Sequence, residues 1–243
     1  MEKMIYAGKA KQMWTTTDED VLRVVYTNQA TALNGKKKTE IEGKGRLNNL
    51  ISTLIFKYLN AQGVHTHFIK TISNDEELVR KVQIIPLEMV TRNIAAGHFS
   101  TRFNIKEGAT FVKPIEESYF KSDELDDPFI NNSQIFGLKI ATEEEIEYMW
   151  QVSRKVDQLL TALFASIGLQ LVDYKLEFGR LKDGTVILAD EFSPDNCRLW
   201  DVKSKKHMDK DVFRRNLGDL TTVYKEVLTR LETKLGEGAN KWR

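Results

Sequence analysis

Glu177 and Asp190 are the two residues whose types and spacing most directly suggest chemistry. The stretch Val172-Asp173-Tyr174-Lys175-Leu176-Glu177-Phe178-Gly179 alternates apolar and charged side chains with a period of two, the pattern of a half-buried strand. Val172, Tyr174, Leu176 and Phe178 are expected to face a core, leaving Asp173, Lys175 and Glu177 in a row on the other face. A second apolar run, Thr185 to Phe192, follows Asp183-Gly184, a hairpin signal. With Asp183 and Gly184 as the two turn residues, Lys182 pairs with Thr185, and counting outward sets Glu177 opposite Asp190. Like charges directly opposed on one face destabilise a sheet, so the pair calls for a counter-charge, most simply a divalent cation. Carboxylates without His or Cys are hard oxygen ligands suited to Mg²⁺ held jointly with substrate phosphates. The alternative is a solvated face with ordinary surface carboxylates.

Three further constellations carry charge in places that invite a ligand. Gly8-Lys9-Ala10-Lys11 sits at a strand turn and lacks P-loop spacing, but its glycine permits close backbone approach and its lysines can neutralise phosphate oxygens. Exposed lysines on a turn are the plain alternative. In Pro86 to His98, Glu88, Val90, Arg92 and Ile94 share one strand face, and Leu87, Met89, Thr91 and Asn93 the other. A mostly buried strand with Glu and Arg on one face needs partners for both; either the two pair with each other, or Arg92 offers its planar fork to an anionic substrate. Ala95-Ala96-Gly97 then allows close approach beneath that ligand. In Asp190 to Asp201, Pro194 ends the strand and Arg198 emerges from a polar turn near Asp190 and Glu191. Cys197 has no evident base partner, and His65, His67, His98 and His207 show no metal-ligand spacing; His65 and His67 read as ordinary strand residues.

The elements that must position these groups are readable in outline. Met4-Ile5-Tyr6 and Gln12-Met13-Trp14 flank the Gly8 turn, and Val21 to Tyr26 is a β-branched run. A polar segment from Asn28 to Arg46 leads into a helix whose face carries Leu47, Leu50, Ile51, Leu54, Ile55, Tyr58 and Leu59, stopped at Gly63. Phe68 to Lys70 and Glu77 to Ile85 read as strands. Phe111 to Leu138, with Pro114 and Pro128, lacks a period and is expected to be a long loop. Thr142 and Glu145 form a capping box for a helix running to Gly168, and a last amphipathic helix is expected from about Asp211. The fold class is α+β, with an N-terminal antiparallel sheet lobe over 1–85 and a sheet-and-helix lobe over 86–243.

Composition narrows the function. The chain has 243 residues with 36 basic and 35 acidic side chains, so no global field draws it to nucleic acid or an anionic membrane. One cysteine excludes an intrachain disulfide and fits a reducing cytoplasm. No apolar run approaches a membrane span, and Met1 to Tyr6 does not read as a signal peptide.

Taken in order, the motifs resemble the SAICAR synthetase family of purine biosynthesis. The matching segments are Tyr6 to Lys11, Asn34-Gly35-Lys36-Lys37, Gly43-Lys44-Gly45, Asn48-Asn49, Pro86 to Gly97, Asp127-Pro128, Val172 to Gly179 and Asp190 to Asp201. The resemblance implies an ATP-dependent ligase that joins L-aspartate to the carboxylate of carboxyaminoimidazole ribonucleotide (CAIR) through an acyl phosphate, giving the succinocarboxamide, ADP and phosphate. It further implies that Gly8, Lys9, Ala10, Lys11 and Lys121 meet ATP phosphates, and that Met13, Val79, Ile84 and Leu176 line the adenine slot. On the same basis Glu177 and Asp190 ligate Mg²⁺, Glu88 reaches a metal at the CAIR carboxylate, and Asp173 and Lys175 lie on the imidazole side. Arg92 and Arg198 clamp the ribonucleotide phosphate, the aspartate site lies near Asn34 to Gly45, and the assembly is a homodimer. Two departures fall on phosphate recognition: His98 stands where the family commonly has serine, and Thr91 where it has an apolar residue. Two rival readings remain, a phosphotransferase of similar architecture and an RNA-binding module using Lys36, Lys37, Lys38, Lys44 and Arg46. The first has no need of Arg92 and Arg198; in the second, Glu40 and Glu42 dilute the patch and no aromatic interleaves it.

Overall fold

The computed structural model describes residues 2–32 and 37–236; Asn34, Gly35 and Lys36, which belong to one matched motif and to the expected aspartate loop, and of which Lys36 is also in the rival RNA patch, lie outside them. β-branched and aromatic runs broken by short turns form β1 (Met4–Ala7), β2 (Lys11–Thr15) and β3 (Val21–Tyr26). The polar segment that follows contains a small hairpin of β4 (Gln29–Ala32) and β5 (Lys37–Glu40) before α1 (Lys44–Ala61). β6 (Phe68–Thr71) and β7 (Glu76–Arg80) complete a five-stranded antiparallel sheet in the order β1-β2-β3-β7-β6.

The chain then changes sheets. β8 (Gln83–Ile84) and β9 (Leu87–Ile94) both lie against a later strand, so the strand expected from Glu77 to Ile85 is two strands in different sheets. α2 (Gly97–Phe103), β10 (Thr110–Phe120), α3 (Asn132–Gly137), α4 (Glu143–Ser166), β11 (Leu169–Arg180), β12 (Val186–Ala189), β13 (Cys197–Asp201), α5 (Asp211–Arg214) and α6 (Leu220–Gly236) follow. Six of these strands form the second sheet, β10-β9-β11-β12, with β8 and β13 also paired to β11. Sheets and helices with antiparallel pairing throughout the named strands make the fold α+β.

Three local expectations are corrected. The segment 111–138 is not a loop: it holds most of β10, a short 3-10 turn and α3. β10 is an edge strand whose register slips between Thr110 and Ile115, and Pro114 sits inside that slip, where a missing N–H costs no ladder bond. The last helix is two, because Asn216 (φ 54°) and Gly218 (φ 153°) break it, after which Asp219 Oδ2 accepts from the Thr222 N–H and caps α6. The β11–β12 turn has three residues rather than two: Leu181 N–H donates to Thr185 O, Gly184 N–H donates to Leu181 O, and Gly184 has φ 87°. Glu177 therefore pairs with Ala189, one residue short of Asp190.

Alternation on β11 separates two environments. Tyr174, Leu176 and Phe178 point into the main core, joined by Leu87 and Met89 of β9, Phe56 of α1, Phe164 of α4 and Tyr224 of α6. A fully buried side chain such as Phe178 contributes about 1.5–3 kcal/mol through apolar burial. The Thr142 cap and the reciprocal Glu145 bond fix the start of α4 as the sequence indicates. α1 lies between β4-β5 and β6 in the chain, yet it packs on α6 and shares the larger core. The lobe proposed for 1–85 thus leans on the second rather than enclosing all its apolar surface.

Candidate active site

The charged face of β11 acquires its neighbours by register. Asp173 pairs with Arg92 of β9 on one side and with Arg198 of β13 on the other, and cross-strand partners share a face. Both arginines donate from Nη1 to the same Asp173 Oδ2, each at 2.8 Å. Arg92 Nε also donates to Glu117 Oε2 at 2.6 Å, and Arg198 Nε to Asp211 Oδ2 at 3.0 Å. Such burial of charge is tolerable only with this degree of pairing. Arg92 does not pair with Glu88, contrary to one of the two alternatives left by the strand pattern: its partners are Glu117 and Asp173, while Glu88 holds Lys175. Gly97, at φ 55°, is required here, because a Cβ would collide with the Arg198 guanidinium. His98 is exposed in the first turn of α2, one residue from that contact.

Two steps along the same strand face lies a lysine–carboxylate cluster. Lys175 pairs with Glu88 and, at 3.0 Å, with Glu177; Lys121, directly after β10, pairs with the other Glu177 oxygen. Lys11 reaches Asp190 at 2.5 Å and Glu191 at 3.9 Å. Asp190 joins the cluster despite the shifted register. β12 ends at Ala189, and Asp190 adopts φ 63°, which turns its side chain away from the direction a continued strand would give it. Burial works against ionisation of Asp190, but Lys11, Lys121 and Lys175 outweigh it and hold its carboxyl well below the usual range. Burial likewise opposes the charge on Lys175, and Glu177 with Glu88 reverses the effect, keeping the ammonium firmly protonated. For Glu88 and Glu191 burial prevails and their pKa values rise.

The five-stranded sheet supplies the opposite wall. Gly8 N–H donates to Lys11 O at 2.8 Å and closes the β1–β2 turn, while Thr27 N–H donates to Ala10 O at 2.8 Å. Lys9 extends from the turn to Asp123 at 2.6 Å. Lys11, Met13, Tyr26, Val24, Glu77 and Val79 share one face through the β2-β3-β7 register. Met13 packs on the cluster of Leu22, Val24, Tyr26 and Val79, and Ile84 is 40% exposed on β8. Leu176 departs from its expected place: it lies on the far face of β11 from Lys175 and Glu177, buried in the main core, because alternation allows only one face to the lysine–carboxylate cluster. Glu77 is buried beneath this wall, accepts from Tyr26 Oη at 3.0 Å, and burial lifts its pKa to about 8.

Several participants had no signature in the sequence. Glu117 and Asp211 complete the arginine pairing and Asp123 meets Lys9, from a segment read as loop or from the expected start of the last helix, while Glu191, already in view beside Asp190, also meets Lys11. The alternation of Ile115, Glu117 and Tyr119 was the one available signal for β10. His207, Asp209 and Asp211 bring ligand atoms within 4.8 Å of one another. Their polar atoms serve protein partners instead: Asp209 accepts backbone N–H from Leu199 and Asp211, and Asp211 holds Arg198 and Arg214.

The cluster thus offers hard oxygen donors for a divalent cation, ammonium groups for phosphate oxygens, and a separate arginine pair for a second anion. Comparison with known proteins points the same way. Residues 4–231 match the family model described as SAICAR synthetase. The chain is 58% identical over 237 residues to the phosphoribosylaminoimidazole-succinocarboxamide synthase of Limosilactobacillus fermentum, covering 97% of this chain and 99% of that protein. The crystal structure of the synthase of that name from Ehrlichia chaffeensis superposes with a TM-score of 0.93 at 43% identity, over 95% of this chain and 98% of the other. A SAICAR synthetase solved in complex with ADP gives a TM-score of 0.90 at 44% identity, over 93% of this chain and 96% of the other.

Proposed function

Because this chain belongs to the SAICAR synthetase family, we propose that it joins L-aspartate to the carboxylate of CAIR at the expense of ATP, forming SAICAR, ADP and phosphate in the cytoplasm. The observation that carries the proposal is the single face of β11, on which Asp173, Lys175 and Glu177 connect an arginine pair for one anion with a lysine–carboxylate cluster for another. The ADP bound by a structural relative supports a nucleotide in that cleft.

The donor set fits Mg²⁺. Glu177 and Asp190 would hold the ion and Glu88 a second one at the CAIR carboxylate, each now balanced by a lysine that an incoming phosphate can take over. Bound there, the metal supplies positive charge to the phosphate oxygens as the phosphoryl group moves. Lys9, Lys11 and Lys121 bind the ATP phosphates, below which the Gly8 turn brings its backbone close. Arg92 and Arg198 exchange Asp173 for the ribonucleotide phosphate, with His98 beside them. Lys175, which lies between Glu88 and Glu177, orients the CAIR carboxylate. A carboxylate is a poor acyl donor, so its oxygen first attacks the γ-phosphorus and ADP departs. The aspartate nitrogen then bonds to the acyl carbon as the carbon–oxygen bond to phosphate breaks, and the proton the amine loses passes to the departing phosphate. Positioning and electrostatics supply most of the catalysis in such transfers.

Phosphate release measured with Mg-ATP, CAIR and L-aspartate, omitting each in turn, tests the reading. Release is expected only with all three present and in step with SAICAR. ATP turnover without CAIR or aspartate would instead favour a phosphotransferase and remove Arg92 and Arg198 from substrate recognition. The form proposed in solution is a homodimer; light scattering should return twice the 28.0 kDa of one chain, and a monomer mass would overturn it.

A further inference from the structure

His67 occupies an unusual junction. Its backbone N–H donates to Leu188 O at 2.8 Å and its carbonyl accepts from Arg80 N–H at 2.7 Å, so one residue joins β7 of the first sheet to β12 of the second. Its ring reaches two residues further along the same chain, where Nε2 lies 2.9 Å from the carbonyl oxygen of Asp190. A carbonyl can only accept, so Nε2 carries the proton. Phe56 of α1 meets the imidazole edge to face, ring centroids 5.7 Å apart and planes at 82°, which fixes the orientation of the ring. His67 is 4% exposed, so water does not readily replace this bond.

The carbonyl it holds belongs to the residue with the most demanding backbone in the cluster. Asp190 must leave β12 at φ 63° for its carboxylate to meet Lys11, a conformation an L-residue keeps only when its surroundings enforce it. Lys11 restrains the side-chain end and His67 the backbone end. We infer that His67 is a positioning residue: its Nε2–H bond to the Asp190 carbonyl holds that residue in the left-handed conformation that aims its carboxylate at the metal-nucleotide site. This rests on the reading of Asp190 as a metal ligand given above. The same bond transmits the placement of the first sheet to the second, because His67 is pinned to both.

The test compares wild type, His67→Phe and His67→Gln, with Asp190→Asn as reference. His67→Phe keeps the aromatic packing and removes the donor; His67→Gln restores an N–H at similar reach. Binding of Mn²⁺ in the presence of ADP, followed by the electron paramagnetic resonance of the free ion, is read alongside the Mg²⁺ dependence of turnover and the thermal midpoint. His67→Phe is expected to weaken Mn²⁺ about tenfold and to raise the Mg²⁺ needed for half-maximal turnover by a like factor, with the CAIR KM unchanged. His67→Gln should recover most of both. Unchanged Mn²⁺ affinity in His67→Phe, or a loss that follows thermal midpoint and is not recovered by glutamine, overturns the inference. If Asp190→Asn also binds Mn²⁺ as wild type does, the metal assignment itself fails, an outcome distinct from failure at His67 alone.

Discussion

Asp190→Asn is expected to lower Mg²⁺-dependent turnover by about 10²–10³-fold, the scale of removing one preorganised electrostatic group from a transfer site. The amide keeps the shape of the carboxylate and still accepts from Lys11, but it no longer supplies a negative oxygen to a metal. Lys11 retains Glu191 at 3.9 Å, and the His67 bond to the Asp190 carbonyl is untouched by the change. The fold should therefore persist, with circular dichroism like that of wild type. A Mg²⁺ titration of SAICAR formation reads the effect. Wild-type turnover at limiting Mg²⁺ would remove Asp190 from the metal site.

Arg198→Ala should act on the other substrate. Truncating one member of a buried, charge-paired recognition group costs about 2–5 kcal/mol, so the CAIR KM is expected to rise between about 30-fold and several thousandfold. The ATP KM should change by less than about threefold, since Arg198 belongs to the cluster around Asp173 and Asp211 and not to that around Glu177. The stability cost is limited because Asp173 keeps Arg92 and Asp211 keeps Arg214. Steady-state kinetics with each substrate varied separately decides the matter, and a larger effect on ATP than on CAIR would take Arg198 out of the phosphate clamp.

What the sequence made visible was local. The start of α4 was legible because Thr142 and Glu145 satisfy each other three residues apart, β3 because its run is β-branched, and β11 because apolar and charged residues alternate along it, although both of its faces are largely buried. The hairpin was legible but its register was not. A three-residue turn and a two-residue turn share the Asp-Gly signal, and one residue decides which face a carboxylate takes. Glu177 and Asp190 do not pair across the strands, but the left-handed Asp190 brings its carboxylate near the same lysines, Lys121 and Lys175, that meet Glu177. β10 has little local signature because what makes it a strand is its pairing with β9, whose partners lie mostly more than twenty residues away, as in Ile115 with Arg92. The break between α5 and α6 was in view, at Asn216 and Gly218, but the apolar spacing across it concealed the interruption. His67 looked ordinary because its importance lies in a carbonyl over a hundred residues further along.

Asp173 and Glu177 stand on one face of one strand, four residues apart, and strand rise sets their separation at about 13 Å. The strand is thereby a ruler. A ligand held by its phosphate at the arginine end presents whatever lies one fixed length away to the lysines and carboxylates at the other. Neither end can drift relative to the other without breaking the ladder that β11 shares with β8, β9, β12 and β13. Under the proposed function, selection among ribonucleotides is then a matter of molecular length as much as of functional groups.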